Sequence, residues 1–221
     1  YDVVGGQKNI FMEFDILCGA NLFGDTINEI LNPFNYILFL FGRDKIYVAV
    51  NIIFLAYMVC MSGTATYAIN KLNENAGRFS IILGMCYALS GYTAYNYQII
   101  KWMYLPVIFP LFFVALIEML NGKGARKYTV LLAYQLVLSI QLGFMTLMFS
   151  LFAGGIYVWF CVKKEDRNKR LSYMGICTIT GVLLSAFAVI PTVSVLLDSA
   201  RSGQNQSYFA VMKQHGLDDI F

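Results

Sequence analysis

Residues 128–162, YTVLLAYQLVLSIQLGFMTLMFSLFAGGIYVWFCV, contain no charged side chain. One straight helix of that length would extend roughly 50 Å, well beyond a hydrocarbon core of about 30 Å. Two short helices that turn back on each other fit the core better. Gln141 and Gly143 interrupt the aliphatic pattern, so the turn is expected within 139–143. Merging the stretch into one span would also push one basic connector to the side opposite the others.

The whole chain shares this character. Charged residues make up 13% and hydrophobic ones 58%, with a mean hydropathy of +0.62. Soluble domains carry about a quarter charged residues and under half apolar ones. An all-α, polytopic transmembrane helical bundle is therefore expected. The formal net charge of +3 resides mostly in short connectors between apolar runs, which is a topology signal and not a nucleic-acid surface. Cys18, Cys60, Cys86, Cys161 and Cys177 form no CxxC pair, so neither a disulfide framework nor a zinc site is expected. P-loop, GxGxxG, HExxH and GxSxG motifs do not occur.

Working outward, residues 1–45 read as an acidic outer loop carrying Asp2, Glu13, Asp15, Asp25 and Glu29. Within it, 32–41 is expected to be an interfacial or re-entrant helix with Asn32 as cap and Pro33 as its first residue. Spans are expected near 46–70, 79–97, 102–120, 127–140, 143–162 and 171–197, about six in all. Pro106 and Pro110 should kink the third or start it late, with neighbouring helices satisfying the freed carbonyls. Residues 198–221 begin a second outer loop. The chain opens at Tyr1 with neither methionine nor signal-peptide pattern and stops inside a polar stretch, so it reads as a piece of a longer protein with a first span upstream.

Connectors 71–78, 121–127 and 163–170 hold two, three and five basic residues, against six spread over the much longer remainder. They are therefore expected on the cytoplasmic side, which leaves 1–45, the turn at 98–101 and the tail 198–221 outside. Carboxylates beside cations on one membrane face suit chemistry on a lipid-phosphate substrate. A carboxylate acts as base toward a hydroxyl, while Arg201 and Lys101 offset charge on a phosphate. A carboxylate pair also has the oxygens for a divalent cation, although no ligand spacing specifies one and no cofactor is identified.

Other polar and small residues have plainer readings. His215 is solvated, Glu118 snorkels to an interface, and Asn51 and Gln135 form interhelical hydrogen bonds. Trp102, Tyr104, Tyr157 and Trp159 fit aromatic belts. Ser62-Gly63 and Gly154-Gly155 read as close helix contacts.

Four stretches, in order along the chain, resemble the bacterial YfhO family of membrane proteins. They are 14–21 (FDILCGAN), 32–35 (NPFN), 87–92 (YALSGY), and 190–192 (IPT) leading to 199–202 (SARS). The chain has Leu17-Cys18-Gly19 where a Gly-Leu-Gly-like segment is expected. The resemblance implies a GT-C-type glycosyltransferase fold in the bacterial plasma membrane. It also implies inverting transfer of a sugar from a polyprenyl phosphate to an extracytoplasmic cell-envelope polymer such as teichoic acid. In GT-C enzymes the catalytic acid lies in the first outer loop, which makes Asp15 the first candidate in this chain and Asp25 the second. Two alternatives remain: a transporter or flippase of a lipid-linked precursor, and a non-catalytic membrane scaffold.

Overall fold

The computed structural model describes residues 31–41, 45–73, 75–97 and 99–198, with backbone alone at 101 and 194–198. All regular structure among these residues is helical. A 3-10 helix, Pro33–Leu40, precedes α1 (Ile46–Leu72), α2 (Phe79–Ala88) and α3 (Gly91–Asn96). A 3-10 turn, Ile100–Trp102, leads into α4 (Tyr104–Leu120), followed by α5 (Ala125–Leu138), α6 (Ile140–Cys161) and α7 (Lys164–Asp198). Among the described residues three helices are long and apolar enough to cross a membrane: α1, α6 and the Lys164–Val193 part of α7. Helix α4 is a shorter apolar helix. The chain divides into one unit of Asn28–Ala186 and a second of Tyr1–Ile27 with Phe187–Phe221; the described part of the second is the end of α7. The larger unit, Asn28–Ala186, holds the helix packing.

The stretch 128–162 breaks at a single residue. Ser139 is extended (φ −162°, ψ 123°), and its Oγ accepts the amide of Leu142 at 3.4 Å, which caps α6. Tyr128 Oη and Ser150 Oγ, equidistant in sequence from Ser139, lie 3.1 Å apart, so α5 and α6 form an antiparallel hairpin. Gly143 permits its tightness, because a Cβ there would stand 2.7 Å from Leu136 Cα. Gln141 is exposed and has no part in the turn.

Large apolar side chains such as Phe112, Leu116 and Leu132 fill the core, as in a soluble bundle, but the pattern differs in what accompanies them and in what faces out. Small and hydroxyl-bearing residues such as Ala49, Ala65, Ser80, Ala88, Thr146 and Ser150 face inward, whereas Val59, Phe152, Phe160 and Leu183 face outward. Hydrocarbon tails are as apolar as leucine, so membrane helices gain most by bringing small residues together. The α1–α2 hairpin illustrates this at Gly84, where a Cβ would collide with Thr66 Oγ1 and stand 2.6 Å from the Ser62 carbonyl oxygen. Gly154 is a similar contact against Met174 of α7. Gly63 and Gly155 differ, since a Cβ added at either would meet nothing within 4 Å. Contrary to expectation, those two glycines are not close helix contacts.

The helix expected over 79–97 is two helices. Ser90 is extended (ψ 162°) between α2 and α3, and Ser and Gly at 90–91 have little helix propensity to oppose the break. The break also changes where two tyrosines point. Tyr87 donates to the carbonyl of Pro106 at 3.0 Å, and Tyr92 donates to that of Trp102 at 3.2 Å. These carbonyls lie four residues before Pro110 and Pro106, neither of which has an amide to pair with them. Helix α4 starts at Tyr104, which leaves Pro106 in its first turn and Pro110 in its interior.

The connectors after α1, α4 and α6 share one end. Glu118 meets Lys71 at 3.7 Å and Lys127 at 3.4 Å, which replaces the snorkelling expected of it with two ion pairs. Tyr157 donates to Asn121 Oδ1 at 3.2 Å. Arg167 stacks on Trp159, 4.9 Å from its ring centroid, and donates to the Trp159 and Val162 carbonyls at the end of α6. A cation closing a helix C-terminus satisfies orphan carbonyls and opposes the dipole. Gly122 and Gly124 take φ of +86° and +75° in the connector after α4, a conformation that costs other residues about 1–2 kcal/mol.

Candidate functional site

Buried polar groups occur along the bundle: Tyr128 bonds to Ser150 and Thr178 near the basic connectors, and a second set lies in the half away from them. Asn32 anchors this second set. Its Oδ1 accepts the amide of Phe34 at 3.2 Å as the cap of Pro33–Leu40, and its Nδ2 donates to Tyr57 Oη at 2.7 Å. The two bonds together fix which way the amide faces. Both residues are buried, and the rings of Phe34 and Tyr57 lie 4.1 Å apart. Tyr57 sits about 16 Å along α1 from Ile46 by helical rise, so the 3-10 segment reaches well down that helix.

Further polar atoms in this half lack partners. Tyr104 Oη is buried among Tyr57, Tyr92, Tyr134 and Ser139, with the Ser139 hydroxyl close enough to interact with it but outside full hydrogen-bonding geometry. Asn96 donates to the Tyr92 carbonyl at 3.0 Å while its Oδ1 is unpaired. Gln135, fully buried one turn before Ser139, has neither amide atom paired, which overturns its expected role as an interhelical hydrogen-bonder. Asn51 is exposed, and no interhelical bond is seen there either. Leaving a buried donor or acceptor unmet costs about 1–3 kcal/mol, and native structures retain few such atoms without a role for them. What these groups offer chemically is neutral hydrogen bonding, suited to hydroxyls and phosphoryl oxygens.

Of the residues singled out in sequence, Lys101 belongs to this half. It lies in the turn Ile100–Trp102, whose Ile100 and Trp102 pack against the cluster of Ile53, Tyr57, Met103, Tyr104 and Leu138. Asp15, Asp25 and Arg201 lie outside the described residues, as does His215. Among the described residues no group of three or more His, Cys, Asp or Glu side chains is placed to hold a metal ion.

Several participants were hidden in sequence. Asn32 carried a signal only as a helix cap, and Tyr57, in the middle of a uniformly apolar run, carried none. Trp102 and Tyr104 read as belt residues but are core-facing, with Tyr104 almost fully buried. Tyr157 and Trp159 have specific partners in Asn121 and Arg167.

A family model described as bacterial membrane protein YfhO matches residues 1–220. No curated protein and no solved structure matches the chain.

Proposed function

The chain belongs to the YfhO family of bacterial membrane proteins, and from that premise we propose that it is a membrane glycosyltransferase. Its donor is a sugar on a polyprenyl phosphate and its acceptor an extracytoplasmic envelope polymer such as teichoic acid. The observation that carries this reading is the set of buried neutral polar groups, Asn32, Tyr57, Asn96, Tyr104 and Gln135, in the half away from the basic connectors. Basic connectors stay cytoplasmic, so that half faces the outer leaflet. In this reading the chain crosses the bilayer six times, in a GT-C-like bundle in the bacterial plasma membrane. The segment Pro33–Leu40 is then re-entrant, with the Asn32–Tyr57 bond as its anchor.

The transfer is a single displacement. Asp15, with Asp25 as second choice, takes the proton of an acceptor hydroxyl. The hydroxyl oxygen bonds to the anomeric carbon as the bond from that carbon to the donor phosphate oxygen breaks. The electron pair leaves on the polyprenyl phosphate, and the anomeric configuration inverts. Arg201, as a planar fork, and Lys101, as a point charge, stabilise the phosphate as it departs. The neutral amides and phenols hold sugar hydroxyls.

Asp15→Asn and Arg201→Ala in the full-length protein test these roles. Each is expected to lower sugar on the envelope polymer by about 100-fold or more at normal expression, the scale of a lost base or charge stabiliser. Unchanged glycosylation would remove both residues from the mechanism. The break between α2 and α3 and the interior Pro110 favour one other function, a flippase of the same lipid-linked precursor, since transporters use discontinuous helices.

A further inference from the structure

A second feature lies at the other end of the bundle, in the half that holds the basic connectors. A groove of about 690 Å³ opens sideways between α1 and α5, with α4 as its floor. Its walls include Gly63, Tyr67, Leu111, Val114 and Leu131, and its mouth carries Glu118, Arg126 and Lys127. From Glu118 to Leu111 it follows α4 for about 10 Å by helical rise.

Two observations mark the groove as more than a gap between helices. Gly63 lies inside a helix of 27 residues, where glycine costs about 1 kcal/mol relative to alanine. No neighbour explains it, because a Cβ there would meet nothing within 4 Å, in contrast to Gly84 on the facing helix. Its effect is to keep the groove wall open. At the mouth, Lys71, Arg126 and Lys127 outweigh the single Glu118 by two charges; Glu118 pairs with both lysines, and Arg126 is exposed with no acidic partner among the described residues. An apolar slot leading to a net-positive mouth, with the Arg126 guanidinium free of any acidic partner among the described residues, at a membrane interface matches a hydrocarbon chain with an anionic phosphate head.

We propose that this groove is a binding site for an anionic phospholipid from the leaflet at the basic end. The acyl chain lies along Gly63 and Val114, and the phosphate sits at Arg126 and Lys127. The site is separate from the proposed sugar-transfer site and stands whether or not that function is correct.

Native mass spectrometry of the delipidated full-length protein, titrated with phosphatidylglycerol and with phosphatidylcholine of the same acyl chains, tests the proposal. Phosphatidylglycerol is expected to bind at least tenfold more tightly. Arg126→Ala should erase most of that preference, because a charge-assisted hydrogen bond accounts for about a tenfold difference. Gly63→Phe, which fills the slot, should abolish the tight site, whereas Gly155→Phe, at a glycine whose Cβ position is equally open on α6, should leave it intact. Equal binding of the two lipids overturns the proposal. So does wild-type lipid preference in Arg126→Ala, a surface change that remains informative if Gly63→Phe fails to fold. A groove covered by another part of the protein or a second copy would show as no tight lipid in any variant, and that also overturns it.

Discussion

Pro106 and Pro110 each remove an amide from α4, and the carbonyls four residues before them accept hydrogen bonds from Tyr92 and Tyr87. The prolines predicted that neighbouring helices must supply donors, but not which. The two carbonyls lie four residues apart, one in the turn just before α4 and one in its first turn, whereas two tyrosines five apart on an unbroken helix would point in different directions. The break at Ser90 reconciles the spacings, so the YALSGY segment has a structural task of its own. Tyr87→Phe and Tyr92→Phe should each lower stability by about 1–3 kcal/mol through an orphaned carbonyl, read as loss of thermal stability in detergent. An unchanged melting temperature in both would mean that the carbonyls are met in another way. Gln135 shows the limit of sequence reading at this scale. A buried amide in an apolar helix looks the same whether a neighbour pairs with it or not, since partnership depends on what packs opposite.

At the scale of elements, the hairpin in 128–162 was legible because length alone excluded a single straight helix. Its position was legible within a few residues, but its cause was not. Ser139 makes the break by capping α6, and Gly143 serves the close approach to Leu136, while Gln141 stays outside. Glycines were the least legible residues, since the same letter marks a tight contact at Gly84 and an open wall at Gly63. That difference is measurable. Gly84→Ala should cost about 1–3 kcal/mol by forcing a methyl onto the α1 backbone. Gly63→Ala should be neutral or stabilising by up to about 1 kcal/mol, because only helix propensity changes. Equal effects of the two substitutions on thermal stability would contradict the close α1–α2 packing at Gly84.

At the scale of the molecule, composition and the spacing of basic connectors were enough to read an all-helical membrane protein. The shared end of those connectors, tied by Glu118 and Asn121, is the physical counterpart of that charge pattern. The floor of the candidate site was not legible, since it is built from neutral residues that meet only in three dimensions. The central claim, that this protein consumes a lipid-linked sugar, is tested most directly in proteoliposomes containing the full-length protein, an acceptor polymer and a labelled polyprenyl-phosphate sugar. Label should pass to the polymer as free polyprenyl phosphate accumulates in equal amount, and Asp15→Asn should stop both. Labelled donor appearing in the opposite leaflet with its sugar still attached, and none on the polymer, would contradict it.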